Sequence, residues 1–270
     1  MSDRVSVSLK DGVADVRLNR PEKLNALDQA MFEGLVETGK ALAADRALRA
    51  VVLSGTGRAF CAGLDFASFM AMAAGTPERG MSRGLLDRAE GSPANYAQLA
   101  GWLWAELPVP VIAAVHGVAF GGGLQIALGA DLRLVTPDAQ LSVMEIKWGL
   151  IPDMSGTQTL RRLVRLDVAK ELTLTGRVIS GSEAAALGLA TRVSDKPLDD
   201  ALALAHELAQ RSPDAIRAAK RLLNRAFAGS VEEGLRLEEA IQLTLIARPN
   251  QVEAVQANLE KRAPRFQDPE

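Results

Sequence analysis

Three adjacent glycines, Gly121-Gly122-Gly123, stand between an apolar run that reads as a strand, Val111 to Val115, and a helical pattern, Leu124 to Gly129. Glycine at such a junction lets the backbone approach a ligand closely and points the unpaired N–H groups of a helix start at it. A carbonyl that becomes an enolate develops negative charge on oxygen, and one preorganised N–H stabilises that charge by roughly 3–4 kcal/mol. The same glycines also fit tight helix–sheet packing, so two readings stay open. A dinucleotide-binding turn does not fit: Gly117, Gly121, Gly122 and Gly123 lack the G-x-G-x-x-G spacing, although Glu145 lies about 20 residues on. A second glycine-punctuated stretch, Gly57 to Asp65, again brings backbone into the open. Glu145 sits in Val143-Met144-Glu145-Ile146-Lys147-Trp148, where apolar neighbours raise a carboxyl toward the range useful for moving protons. Its plainer reading is a solvated loop glutamate.

Elements that position these residues follow from periodicity. Val5 to Leu9 and Val13 to Leu18 alternate β-branched with polar residues around Asp11-Gly12, which predicts a hairpin. Asp28 stands at an N-cap position before a helical pattern running to about Ala44, and a strand follows at Ala50 to Leu53. From Ala67 to about Gly91 the chain is rich in Met, Gly and Ala, which predicts a mobile wall around the candidate site. The spacing makes Val111 to Gly129 a strand-turn-helix unit, with short strands at Asp131 to Val135 and Gln140 to Val143. After Ser155 the pattern is almost wholly helical, with caps expected at Ser182, Ser212 and Ser230. Alternation followed by helices alone predicts a layered α/β core over residues 1–195 and a helical unit over 196–270.

Composition excludes several classes. Lys and Arg total 31 against 33 acids, a formal net charge of −2, which provides no basic field for nucleic acid. No run of about 18 apolar residues and no signal-like N-terminus occurs, so a cytoplasmic protein without a membrane partner is expected. One cysteine, Cys61, and two histidines, His116 and His206, support no metal site, and no metal is assigned. His116 and Cys61 read as structural, and Trp102, Trp104 and Trp148 as core or pocket lining. Arg161, Arg162 and Arg165 read as a solvated helix face.

The segments Arg20-Pro21-Glu22-Lys23-Leu24-Asn25-Ala26-Leu27, SGTGRAFCAGLD (Ser54 to Asp65), PVIAAVHGVAFGGG (Pro110 to Gly123), GLIPDMSGTQTL (Gly149 to Leu160) and LEKRAPRF (Leu259 to Phe266) carry a specific likeness. In their order and spacing the chain resembles the enoyl-CoA hydratase/isomerase (crotonase) superfamily over nearly its whole length. The resemblance implies an α/β fold, a crotonase-like spiral of ββα units with a helical C-terminal region used in trimerisation, and assembly as trimers or hexamers. It implies an acyl-CoA thioester as ligand, so that coenzyme A belongs to the substrate and no separate cofactor is expected. By matching positions, the oxyanion donors fall on the N–H groups of Leu64 and Gly122. Leu24, Ala26, Ala62 and Asp65 would lie along the coenzyme A path. Lys261 and Phe266 would complete a site, in this subunit or a neighbour. Lys23 joins the substrate-binding set, against its reading as a solvated loop cation.

The superfamily's hydratases carry two glutamates, because adding water needs one group to activate it and another to manage the α-carbon proton. The first position matches Gln125, whose amide exchanges no proton at neutral pH, and the second matches Glu145. Gln125 either orients water or substrate, or is a wall group held by hydrogen bonds. Asp153 stands where many members have glycine and where dienoyl-CoA isomerases have an aspartate partnered with the second glutamate. Its other reading is a cap for the helix beginning near Ser155. Those isomerases also have an acid where this chain has Gln125. Since loss of one carboxyl damages water addition most, double-bond isomerisation on an enoyl- or dienoyl-CoA ranks ahead of hydration of 2-enoyl-CoA. A non-catalytic acyl-CoA-binding protein is the reading from another class.

Overall fold

The computed structural model describes residues 3–66, 70, 84, 87–88, 91–227 and 229–269. The wall expected from Ala67 to Gly91 falls almost wholly outside the described residues. Strands β1 (Val5–Lys10) and β2 (Val13–Leu18) form the expected antiparallel hairpin. Asp11 and Gly12 take φ of 51° and 76° there, the left-handed pair that a two-residue hairpin turn requires. From β2 the sheet continues in parallel through β3 (Ala50–Gly55), β4 (Val111–Val115), β6 (Leu132–Val135) and β9 (Arg192–Val193). Helix α1 (Gln29–Ala44) makes the crossover from β2 to β3, and its first turn is capped by Asp28, whose carboxylate accepts the Met31 N–H at 2.9 Å.

The apolar residues of the central strands divide between two faces with period two. Val51, Leu53, Val111, Ala113 and Val115 join Phe32 and Leu35 of α1 and Trp104 of α2 (Tyr96–Glu106) in the main core. Ala50, Val52, Ile112, Ala114 and Leu134 face the other way, onto Ala201 and Ala205 of helix α7 (Pro197–Ala209). Burial on both faces explains why β3 and β4 read as continuous apolar runs.

Three expectations are corrected. The glycine run does not follow β4 directly, because a short strand β5 (Val118–Phe120) intervenes and pairs in a second sheet with β7 (Gln140–Ser142), which in turn pairs with β8 (Ile179–Ser180). The region after Ser155 is interrupted by the two-residue strands β8 and β9, too short for any alternation to show. Between β5 and these strands run α3 (Gly122–Leu128), α4 (Gly156–Leu163) and α5 (Leu166–Thr175). The cap of α6 (Gly181–Leu187) is Ser180 rather than Ser182, its hydroxyl accepting the Glu183 N–H at 3.1 Å. Ser212 and Ser230 do cap α8 (Pro213–Ala226) and α9 (Val231–Leu243), and α10 (Pro249–Glu260) follows. Among the described residues no helix is long and apolar enough to cross a membrane.

Candidate active site

Parallel strands end on the same side, and that brings the site together. Phe120, the last residue of β5, is in register with Ser142, the last of β7, and the Gly121 N–H donates to Ser142 O at 2.9 Å. The chain leaving β5 becomes α3 at once, while the chain leaving β7 makes a one-turn 3-10 helix, Glu145–Trp148. Gly121 adopts φ 51° and ψ −121°, and a Cβ built on it would lie 3.4 Å from Glu145 Oε1. The start of α3 and the Glu145 carboxyl are therefore neighbours.

A third segment runs along the free side of β5. Cys61 N–H donates to Val118 O and Phe120 N–H to Cys61 O, both at 3.0 Å. Beyond it, Leu27 N–H donates to Gly63 O at 2.8 Å and Asp65 N–H to Leu27 O at 3.0 Å. With Gly63 O and Asp65 N turned toward Leu27, the Leu64 N–H points away from that bridge. Gly63 carries φ 88°, and a Cβ on it would fall 2.7 Å from Phe120 O and 3.8 Å from Gly122 N. Only glycine permits this approach. The N–H groups of Leu64 and Gly122 thus stand on adjacent strands of backbone, and neither has an acceptor among the described residues.

Glu145 is 8% exposed, and its Oε2 is buried without a hydrogen-bond partner. Burial pushes its carboxyl above the ordinary value, opposed by its own backbone N–H and the Gln125 amide and assisted by the charge of Asp153. Gln125 is 2% exposed and makes three hydrogen bonds. Its Nε2 donates to Glu145 Oε1 at 2.5 Å, and its Oε1 accepts the N–H groups of Met154 and Gly156, each at 2.8 Å. Asp153 is exposed, with its carboxyl also pushed up by desolvation from the surrounding chain. It does not cap α4: Ser155 occupies that position at φ 72°, with no side-chain cap, and the Gly156 N–H goes to Gln125 instead.

The remaining predicted residues separate into three groups. Leu24, Ala26 and Ala62 lie together where the first motif meets the third segment, with Ala62 N–H donating to Leu24 O at 2.9 Å and Ala26 buried. Lys23 ends the exposed 3-10 turn Pro21–Lys23 on the same loop. Asp65, expected on the coenzyme A path, is 8% exposed, and its Oδ2 lies 2.7 Å from the Arg20 guanidinium. Lys261 and Phe266 are not brought to the site within this chain. Lys261 closes α10 at φ 53°, and Phe266 lines a separate cavity of about 310 Å³ with residues of α7 and α10.

Sequence reasoning missed Asn25 as a structural centre. It is fully buried at φ 56°, and its Nδ2 donates to Thr56 O at 2.9 Å and Ala59 O at 2.8 Å while Oδ1 accepts the Arg20 N–H at 2.8 Å. Asparagine tolerates the left-handed conformation and bonds backbone locally, which is the signal that marks it. Trp104 is core, whereas Trp148 is 52% exposed and Trp102 carries the Arg162 guanidinium 5.8 Å over its ring. The His116 Nε2 lies 2.9 Å from Gly57 O, in keeping with a structural role.

A family model described as enoyl-CoA hydratase/isomerase matches residues 8–269. A Rhizobium meliloti protein named "Probable enoyl-CoA hydratase" is 36% identical over 263 residues, 96% of each chain. The mouse protein named methylglutaconyl-CoA hydratase, mitochondrial, is 33% identical over 264 residues, 94% of this chain and 79% of that one. The crystal structure of enoyl-CoA hydratase from Bacillus anthracis superposes with a TM-score of 0.88 at 31% identity, covering 98% of this chain and 100% of the other. The spiral α/β architecture, the helices that end it and the matching motifs have one common account: this chain belongs to the enoyl-CoA hydratase/isomerase (crotonase) superfamily.

Proposed function

We propose that this protein adds water across the 2,3 double bond of a 2-enoyl-CoA thioester, with Glu145 moving the proton. The observation that carries this reading is the unpartnered, buried Oε2 of Glu145 beside the start of α3. The thioester oxygen is held by the N–H groups of Leu64 and Gly122. Water attacks C3 as Glu145 takes one of its protons, and the electron pair of the double bond passes to the thioester oxygen as an enolate. The enolate then collapses, C2 takes the proton back, and the carboxylate is regenerated. Leu24, Ala26, Ala62 and Lys23 border the path for coenzyme A, and Asp65 supports it through Arg20.

This reading reverses the ranking drawn from sequence, in which the missing carboxyl at Gln125 put isomerisation first. The relatives named above are hydratases by name, and Gln125 fills its place with three hydrogen bonds rather than leaving a gap. Isomerisation is the second reading, favoured by Asp153, a second raised carboxyl whose charge reaches Glu145. Incubation with 2-enoyl-CoA, 3-enoyl-CoA and 3,5-dienoyl-CoA separates the two. Hydration of the first is expected; double-bond migration in the others without hydration of the first would overturn it.

Assembly as a trimer or hexamer belongs to the same proposal. Phe227, Val231 and Leu259, in and between the C-terminal helices, are 78–80% exposed, apolar side chains of the kind that association covers. Lys261 and Phe266 would then serve a neighbour's site. Light scattering that finds a monomer at micromolar concentration would remove this part.

A further inference from the structure

We infer that Gln125 is a positioning residue that confines the proton carried by Glu145 to a single oxygen, Oε2. The inference takes one element from the proposed reaction, that Glu145 is the group that moves the proton.

The orientation of the Gln125 amide follows from its partners. Met154 and Gly156 both present N–H donors to one end of the amide at 2.8 Å. Turned over, the amide would set its own NH2 against two donors and satisfy none of the three. Those donors belong to a turn that leaves no slack, since Ser155 between them is held at φ 72°, a conformation costly for a residue with a Cβ. The amide NH2 is therefore aimed at Glu145 Oε1, 2.5 Å away. That oxygen serves as the acceptor, and a proton placed on it would weaken the bond from the amide, which disfavours protonation there. Oε2 is left as the proton's place, and no other group of the described residues bonds it.

Chemistry at position 125 decides what kind of acid Glu145 is. A neutral donor favours the ionised carboxylate and offsets part of the burial that opposes it. A carboxyl at the same distance would share a proton with Glu145, and the pair would titrate as one unit in two steps. Asp153 is the other charged group felt at Glu145, and it pushes the carboxyl up. Lys147 on the same turn, and Asp167, Lys170 and Glu171 on the adjoining α5, are exposed to solvent.

The test reads protonation directly, without substrate. Full-length protein carrying 13C at glutamate side-chain carboxyls is titrated by NMR, with Glu145→Gln identifying the resonance. In Gln125→Met the Glu145 midpoint is expected to rise by about one pH unit, as loss of a hydrogen bond to the charged form demands. The acid limb of kcat/KM is expected to rise with it. Gln125→Met also leaves two buried N–H groups without an acceptor, so Gln125→Glu, which keeps that acceptor, is the second variant. It is expected to show a two-step titration whose last proton leaves well above the wild-type midpoint. An unmoved Glu145 midpoint in Gln125→Met, or two independent ordinary titrations in Gln125→Glu, overturns the inference whatever the turnover. Absence of turnover on all three acyl-CoA substrates with the shifts present sinks the assigned reaction and leaves the role of Gln125 standing.

Discussion

Glu145 carries two opposed demands, since a base must be ionised to take a proton and burial resists ionisation. Its carboxyl lies above the ordinary glutamate value of 4.5 because burial outweighs the two hydrogen bonds that favour the charge. The protonated form is the inactive one in the proposed reaction, so kcat/KM should increase with pH through a midpoint above 4.5. A pH–rate profile with its acid limb at or below that value would contradict the assignment. Replacing Glu145 with Gln should lower kcat by about 10²- to 10⁴-fold, with acyl-CoA affinity little changed because the two N–H donors are backbone atoms. At this scale the sequence was informative about identity and silent about partners. Apolar neighbours marked Glu145 as a perturbed carboxyl, but the bonds of Gln125 reach 29 and 31 residues along the chain, and no local pattern encodes them.

Three loops have to converge before any of this chemistry is possible, and Asn25 ties two of them. Its side chain joins the Arg20-to-Leu27 loop to the backbone at Thr56 and Ala59, just ahead of the segment that carries Leu64. Asn25→Ala would orphan buried carbonyls at roughly 1–3 kcal/mol each, and would also lose asparagine's tolerance of φ 56°. A Tm lowered by several degrees and a fall in kcat larger than any change in KM are expected, since the Leu64 N–H would be misplaced for the enolate more than for the substrate. Unchanged thermal unfolding and kinetics would show that the loops hold their places without it. β1, β2 and α1 were legible because they repeat their periods long enough to be read, and β3 and β4 as continuous apolar runs, whereas α2 was not anticipated. Strands β5, β8 and β9 were not, because two or three residues carry no period and their existence depends on partners far along the chain.

A buried cation ties α8 to the core, beside Arg217 and Asn224, which also donate to backbone carbonyls at Leu48 and Ala105. Lys220 of α8 lies 2.7 Å from Asp131 and donates to Trp104 O at 3.1 Å and Val109 O at 2.9 Å, joining α8 to the end of α2 and the start of β4. Burial pushes the Lys220 ammonium down and the Asp131 carboxyl up, against their mutual attraction. Removing one partner of such a pair leaves the other buried, and Lys220→Met should cost about 3 kcal/mol in denaturant unfolding. A cost below about 1 kcal/mol would mean that the other contacts of α8, the bonds of Arg217 and Asn224 among them, hold it without the ion pair. Cys61, the one thiol in the chain, lies at the heart of the same molecule. It is fully buried against β5, donates to Asn25 O at 3.1 Å, and has its pKa pushed up to about 12 by burial. A thiol in that state is inert to alkylation until the loops around it separate, which makes it a clock on their opening. Its rate of labelling in the native protein should be slow, should slow further when an acyl-CoA occupies the two N–H groups, and should quicken in Asn25→Ala.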